Sequence, residues 1–140
     1  MSALTRITVE AVVNAPVEKA WACYNGPEHV MQWNQASPDW HCPASSIDLR
    51  PGGKFSSTMA AKDGSFSFDF QGIYDEVVTH KKIAYTMGDG RKADVIFTKN
   101  ENDTNVTVIF EPETENSLEL QQEGWQAILD SFKKYTESGC

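Results

Sequence analysis

The sequence predicts an α+β fold in which a curved antiparallel sheet of about seven strands packs against one long helix near the end of the chain. One observation is the helical periodicity of residues 117–138, where large apolar residues recur at spacings of three and four: Trp125, Ile128, Leu129, Phe132 and Tyr135. The other is that most of the preceding chain alternates apolar and polar residues in short segments joined by hairpin-length turns. A helix with one apolar face needs a surface to cover it, and the sheet supplies that surface.

A strand and two short helices are predicted for the first part of the chain. The alternation of residues 4–13 is typical of a half-buried strand. Pro16 is favourable in the first turn of a helix, which predicts a helix over residues 16–24. Gly26 ends that helix, and Pro27 opens a second one that reaches Trp33. A polar loop is predicted for residues 34–44.

Six further strands are predicted between residues 45 and 110, which gives the element order β-α-α-β-β-β-β-β-β-α. The clearest of them alternates strictly, with Phe66, Phe68 and Phe70 on one face and polar residues on the other. Gly72 in the same strand predicts a bulge or bend, which would allow the sheet to curve.

Composition and charge disfavour several classes of protein. The chain has 140 residues, which suits one domain, and we expect residues 1–140 to form a single domain. Acidic residues outnumber basic ones by 20 to 12, and the basic residues are scattered, so neither nucleic acid nor an anionic membrane surface is expected as a partner.

The apolar runs are far shorter than the roughly 20 residues of a membrane helix. No signal peptide is expected in the first residues, and a cytoplasmic location is predicted.

The cysteines argue against both a disulfide framework and a metal centre. Cys23, Cys42 and Cys140 are odd in number and show no CxxC spacing. We therefore expect Cys23 to pack in the core and Cys140 to be exposed, and we expect no metal and no cofactor.

Several motifs, taken together and in order, resemble those of a known superfamily. They are NAPVEKAW (14–21), EHVMQW (28–33), DLRPGG (48–53), GIYDEV (72–77), IAYT (83–86) and EGWQAIL (123–129). In this combination the chain is similar to START-like, birch-pollen-allergen-like domains, and most similar to the branch named after the activator of the heat-shock-protein-90 ATPase. The resemblance covers nearly the whole chain. It implies a helix-grip fold, in which the sheet curves around the last helix and a cavity opens between the sheet, that helix and the two short helices.

Large apolar side chains are the candidate ligand-binding residues. They include most of the aromatic residues that the strand and helix patterns place on interior faces, together with His41, which is expected to lie in a loop at the cavity mouth and donate one hydrogen bond. The full set is Trp33, Trp40, His41, Phe55, Met59, Phe68, Phe70, Tyr85, Met87, Phe97, Trp125 and Leu129. Ordinary core packing and the lining of a ligand pocket account equally well for such a set.

Three functions are compatible with the sequence. The first is binding of a small, largely apolar or aromatic molecule in the cavity, without a metal or covalent catalysis. The second is a cyclase-like or hydrolase-like enzyme in which His41, Tyr85 or Asp69 transfers protons. The third is a co-chaperone module, which is disfavoured because the co-chaperones of the similar branch carry an additional domain. Exposed strand edges would also permit a homodimer.

Gly124 is unusual because it lies in the middle of the long helix, where glycine costs about 1 kcal/mol relative to alanine. Two explanations are open: the helix approaches a strand closely at this point, or the glycine leaves room for a ligand beside Trp125.

Overall fold

The computed structural model describes residues 6–35 and 37–140 and contains the predicted elements in the predicted order. Their bounds are β1 Ile7–Val13, α1 Val17–Asn25, α2 Pro27–Trp33, β2 Trp40–Ile47, β3 Lys54–Ala61, β4 Ser67–Val78, β5 Lys82–Met87, β6 Lys92–Lys99, β7 Thr104–Phe110 and α3 Leu118–Glu137. Residues 4 and 5 of the predicted first strand lie outside the described residues.

The strands form one antiparallel sheet in the order β1-β7-β6-β5-β4-β3-β2. Each strand from β2 to β7 pairs with its neighbour in sequence, and β1 joins the end of the sheet beside β7. The sheet curls around α3, as the helix-grip description requires, so the predicted fold class is confirmed. In this topology β1 and β2 are the two edge strands.

Helix α3 lies along the β1 edge of the sheet and across its interior. Ser117 caps its first turn by accepting a hydrogen bond from the backbone N–H of Leu120 at 3.1 Å. The side-chain amides of Gln122 and Gln126 donate to the backbone carbonyls of Thr8 and Glu10 in β1. Among the described helices, none is long and apolar enough to cross a bilayer.

Buried aromatic side chains connect α3 to the sheet and to the two short helices. Phe110 and Phe132 are fully buried, and the ring of Phe110 stacks on Trp125 with centroids 3.9 Å apart. This stack ties the middle of α3 to the last strand.

The region around Trp40, His41 and Cys42 is a strand, so the prediction of a loop over residues 34–44 is wrong at its second half. Proline argued against a strand here because it cannot donate a hydrogen bond to the sheet. The structure accommodates Pro43 because β2 is an edge strand and its pairing with β3 shifts register between His41 and Ala44.

Gly72 does not lie at the bulge of β4. The pairing of β4 with β5 shifts between Tyr74 and Glu76, a few residues further along the strand. A Cβ atom at Gly72 would lie 2.5 Å from the carbonyl oxygen of Thr86 and 2.9 Å from the ring of Phe55. The glycine is therefore required by close approach rather than by a bend.

Gly124 shows the opposite situation. A Cβ atom added there would meet no atom within 4 Å outside its own helical surroundings. The explanation by close approach to a strand is therefore wrong.

Cys23 and Cys140 form a disulfide, which contradicts the prediction from the cysteine count. Their Cα atoms are 6.4 Å apart although 117 positions separate them in sequence. The odd count concealed the pair because the third cysteine, Cys42, is buried and free. The bond connects α1 to the segment that follows α3.

Candidate ligand-binding cavity

A cavity of about 320 Å³ lies between the sheet, α3 and the two short helices. Eight of the twelve candidate residues from the sequence line it: Trp33, Phe55, Met59, Phe68, Phe70, Tyr85, Trp125 and Leu129. They come from α2, β3, β4, β5 and α3, which the curled sheet brings around one space. The volume is at the lower end of the range for small-molecule sites.

The other four candidates do not line the cavity. Met87 and Phe97 are buried on the interior face as expected, but neither side chain lines the cavity. Phe97 instead packs against the rings of Trp21 and Tyr24, at centroid distances of 5.2 and 5.6 Å. Alternation predicted the face of each strand correctly but not the position along it.

Trp40 and His41 lie outside the cavity for a different reason: both belong to strand β2 and not to a loop. His41 is half-buried opposite Ala60. Trp40 packs edge-on against Phe66 and Phe68, with ring centroids 6.1 Å away in both cases. Phe68 remains 46% exposed although it lines the cavity, so this end is an aromatic rim around an opening.

Two tyrosines that the candidate set omitted also line the cavity. Tyr24 comes from α1 and Tyr74 from β4, and together with Tyr85 they place three phenol groups around one space. The signal was present in the sequence: Tyr74 shares the interior face of β4 with Phe70, and Tyr24 lies on the apolar side of α1.

Burial keeps the tyrosine hydroxyls protonated. It raises the pKa of Tyr24, Tyr74 and Tyr85, and the neighbouring tyrosines raise the pKa of Tyr24 and Tyr85 further. Each group is therefore a neutral hydroxyl that can both donate and accept a hydrogen bond near neutral pH.

These hydroxyls have no protein partner in the part of the chain that the structure describes. The hydroxyl of Tyr135 bonds to Nδ1 of His29, whereas none of the described residues hydrogen-bonds the hydroxyl of Tyr24, Tyr74 or Tyr85. Nor are these oxygens among the side-chain atoms that are sealed off without a partner. They are open to the cavity and available to a molecule inside it.

The polar groups at the other end of the cavity already have partners. The guanidinium of Arg91 donates to Asp89 Oδ2 at 2.7 Å and to the carbonyl oxygen of Glu111 at 3.2 Å. Gln121 Oε1 accepts from the backbone N–H of Glu113 at 2.9 Å. These bonds hold the segment before α3 in place, and this segment closes that end of the cavity.

The proton-transfer candidates are not assembled into one site. Asp69 is exposed on the outer face of the sheet, where its carboxylate accepts a hydrogen bond from Thr58 Oγ1 at 2.8 Å. His41 lies outside the cavity. Of the three candidates, only Tyr85 lines the cavity.

An antiparallel sheet curled around a long helix, with an apolar cavity between them, defines the helix-grip class, whose members include many ligand-binding domains. The chain belongs to the family of activator of Hsp90 ATPase homolog 1-like proteins, whose model matches residues 14–137. The predicted family is thereby confirmed.

Solved structures agree with this assignment. The solution structure of the AHSA1-like protein from Aeromonas hydrophila has a TM-score of 0.90 and 42% identity, covering 96% of this chain and 93% of that one. A solution structure from Cytophaga hutchinsonii has a TM-score of 0.82 and 57% identity, covering 95% and 92%. A crystal structure from Nitrosomonas europaea, at 20% identity and TM-score 0.82, covers 99% and 97% and shares the fold. The search of curated proteins found no match.

Proposed function

We propose that the protein binds a small, largely apolar molecule that carries a hydrogen-bonding group, and that this molecule occupies the cavity between the sheet and α3. The observation that carries the proposal is the group of three tyrosines, Tyr24, Tyr74 and Tyr85, which line a mainly apolar cavity and whose hydroxyls have no partner among the described residues. Because these hydroxyls are open to the cavity, they can bond to water or to a polar atom of a ligand, and they supply the few hydrogen-bonding groups that a site for such a molecule needs.

The apolar lining supplies most of the affinity. Phe70 and Trp125 meet edge to face at 6.0 Å, and Phe55 meets Tyr85 edge to face at 4.9 Å. Aromatic faces and edges in this arrangement favour a flat or compact apolar ligand, while the hydroxyls select for an oxygen or nitrogen atom on it.

The decisive experiment measures the thermal shift of the protein with a panel of small aromatic and aliphatic compounds, each paired with an analogue that lacks the polar group. A ligand in excess over its Kd raises the Tm by mass action. We expect the polar member of a pair to give the larger shift.

Two neighbouring serines in β3 offer a matched test of the location. Ser57 is buried and lines the cavity, whereas Ser56 lies on the opposite face of the same strand. Ser57→Phe is expected to fill the cavity and abolish the shift, and Ser56→Phe is expected to retain it. Equal shifts in the two variants, or no shift with any compound, would contradict the proposal.

Tyr85→Phe tests the polar contact separately. Loss of one hydrogen bond worth about 0.5–1.5 kcal/mol weakens binding of the polar ligand roughly 2- to 10-fold. The apolar analogue should bind the variant and the wild type equally well.

Other expectations from the sequence stay predictions. A proton-transferring enzyme would have to act through Tyr85, whose raised pKa makes it a hydrogen-bond donor rather than a base. The co-chaperone role, the homodimer and the cytoplasmic location are likewise untested. Pull-down of the chaperone with wild type and with Ser57→Phe would separate a surface interaction from a cavity function.

A further inference from the structure

Three potential metal ligands meet at one point away from the cavity lining. The Sγ atoms of Cys23 and Cys140 and a ring nitrogen of His29 all lie within 4.8 Å of one another. Cys23 is buried in α1, while His29 in α2 and Cys140 after α3 are half-buried. The cluster therefore joins α1, α2 and the segment that follows α3.

The imidazole of His29 is held in place by a neighbour. Its Nδ1 lies 2.8 Å from the hydroxyl of Tyr135 in α3. A histidine that binds a metal ordinarily makes a hydrogen bond of this kind with its other ring nitrogen, which fixes the tautomer and the ring orientation. A carboxylate oxygen of Glu28 lies 3.8 Å from Nε2 and adds negative charge beside the cluster.

The cysteine side is anchored as well. The backbone carbonyl of Cys23 accepts a buried hydrogen bond from Trp33 Nε1 at 2.9 Å. This bond ties α1 to α2 beside the cluster, so the thiol and the imidazole approach one another from a fixed framework.

We propose that, once the disulfide is reduced, Cys23, Cys140 and His29 form a binding site for a soft divalent metal ion of the zinc type. Two thiolates and one imidazole are a donor set that Zn²⁺ prefers, and a water molecule completes the tetrahedron. Zn–S and Zn–N bonds of about 2.3 and 2.0 Å place the ligand atoms of a tetrahedral site roughly 3.5–3.8 Å apart. The ring nitrogen and the two sulfur atoms lie within 4.8 Å of one another, so small movements after the S–S bond opens would bring them to these separations.

The disulfide and the metal exclude one another, because both use the same two sulfur atoms. A water-soluble phosphine supplies the two electrons that cleave the S–S bond: the phosphorus takes oxygen from water, and each sulfur gains a proton. Metal binding then releases these two protons as the thiols become thiolates.

Cobalt titration tests the site directly. The protein is reduced with the phosphine under nitrogen, desalted and titrated with Co²⁺, which reports thiolate ligands through a near-ultraviolet charge-transfer band and tetrahedral geometry through its visible bands. We expect saturation at one ion per chain and loss of the bands when Zn²⁺ displaces the cobalt. The unreduced protein should show neither band.

The three cysteines provide matched variants. Cys140→Ser removes one proposed ligand at a half-buried position and should abolish the charge-transfer band, with circular dichroism confirming the fold. Cys42→Ser is the control, because Cys42 is buried in β2 and donates its thiol hydrogen to the carbonyl oxygen of Ala44. That variant should bind cobalt like the wild type.

Tyr135→Phe tests the supporting hydrogen bond and should weaken metal affinity by about 10- to 100-fold. The proposal is overturned if the reduced wild type gives no thiolate–cobalt band, if Cys140→Ser keeps the band, or if the unreduced protein binds equally well.

Discussion

The two halves of the curled sheet differ in how their interior faces are covered. Strands β1, β7 and β6 carry mostly β-branched residues on their interior face, and Val13, Val95 and Val106 among them are completely buried. Strands β3, β4 and β5 also carry large aromatic residues on their interior face, but these residues surround a cavity of about 320 Å³. The same alternation thus builds a closed core in one half and an open one in the other.

This difference shows that large side chains do not by themselves fill an interior. Rings such as Phe70 and Tyr85 contact one another at their edges and leave space between them, at a centroid distance of 6.3 Å. On the opposite half α3 lies close to β1, and two of its glutamines reach the backbone carbonyls of that strand. The distance of the helix from each half of the sheet therefore decides where the cavity opens.

The largest expected contrast between the halves comes from removing a phenylalanine in each. Phe110→Ala deletes a fully buried ring of β7 in the closed half and should lower the free energy of unfolding by about 3–5 kcal/mol. Phe68→Ala, at a half-exposed position of the open half, should cost less than about 1 kcal/mol. Urea denaturation of both variants measures the contrast, and equal losses would show that the cavity region is as tightly packed as the core.

Gly72→Ala sharpens the comparison inside the open half. The new Cβ would meet the carbonyl oxygen of Thr86 and the ring of Phe55, so overpacking should cost about 1–3 kcal/mol. The backbone at Thr86 cannot move away from the new Cβ, whereas the ring of Phe55 can move toward the cavity. A double variant with Phe55→Leu should recover part of the loss, and its failure to do so would place the strain in the backbone contact alone.

Alkaline pH should affect the open half selectively, because its tyrosines have raised pKa values. A folded-state pKa above the unfolded value of about 10 means that the folded protein holds more protons at high pH, so stability is full below pH 10 and falls as pH rises above it. The loss approaches roughly 1.4 kcal/mol per pH unit for each such tyrosine. Urea denaturation across this range should show a shallower decline for Tyr85→Phe than for the wild type.

The smallest effect is expected at Gly124, in α3 between the two halves. Because a Cβ there meets open space, Gly124→Ala should stabilise the protein by about 1 kcal/mol through helix propensity. The thermal shift with a ligand provides the second measurement. Unchanged ligand binding would leave the glycine without a role in the cavity, whereas weaker binding would support the explanation that it leaves room for a ligand.

Periodicity was sufficient to predict the fold and the faces of most strands. Strict alternation put Phe68 and Phe70 on one face of their strand, and helical spacing put Trp125 and Leu129 on one stripe of the helix. In the structure all four line the cavity. The family resemblance then supplied the cavity itself, which no local pattern contains.

The remaining features depend on contacts between distant parts of the chain. The face of Phe97 was predictable, but the approach of α1 that takes it out of the cavity was not. Pro43 hid strand β2 in the sequence, because a proline is tolerated in a strand only where that strand lies at the edge of the sheet. The disulfide between Cys23 and Cys140 was hidden for the same reason, since only the folded chain brings the two residues together.

The two glutamines of α3 that bond to β1 bear on self-association. An edge strand normally offers its free carbonyls to a strand of another molecule, and Gln122 and Gln126 occupy two of these acceptors from within the same chain. At the opposite edge, Pro43 and the irregular register of β2 interrupt the row of donors that a partner strand would need. Both edges of the sheet are thus protected against the addition of another strand. A dimer of this protein is therefore expected to use a helical surface or the aromatic rim instead of extending the sheet.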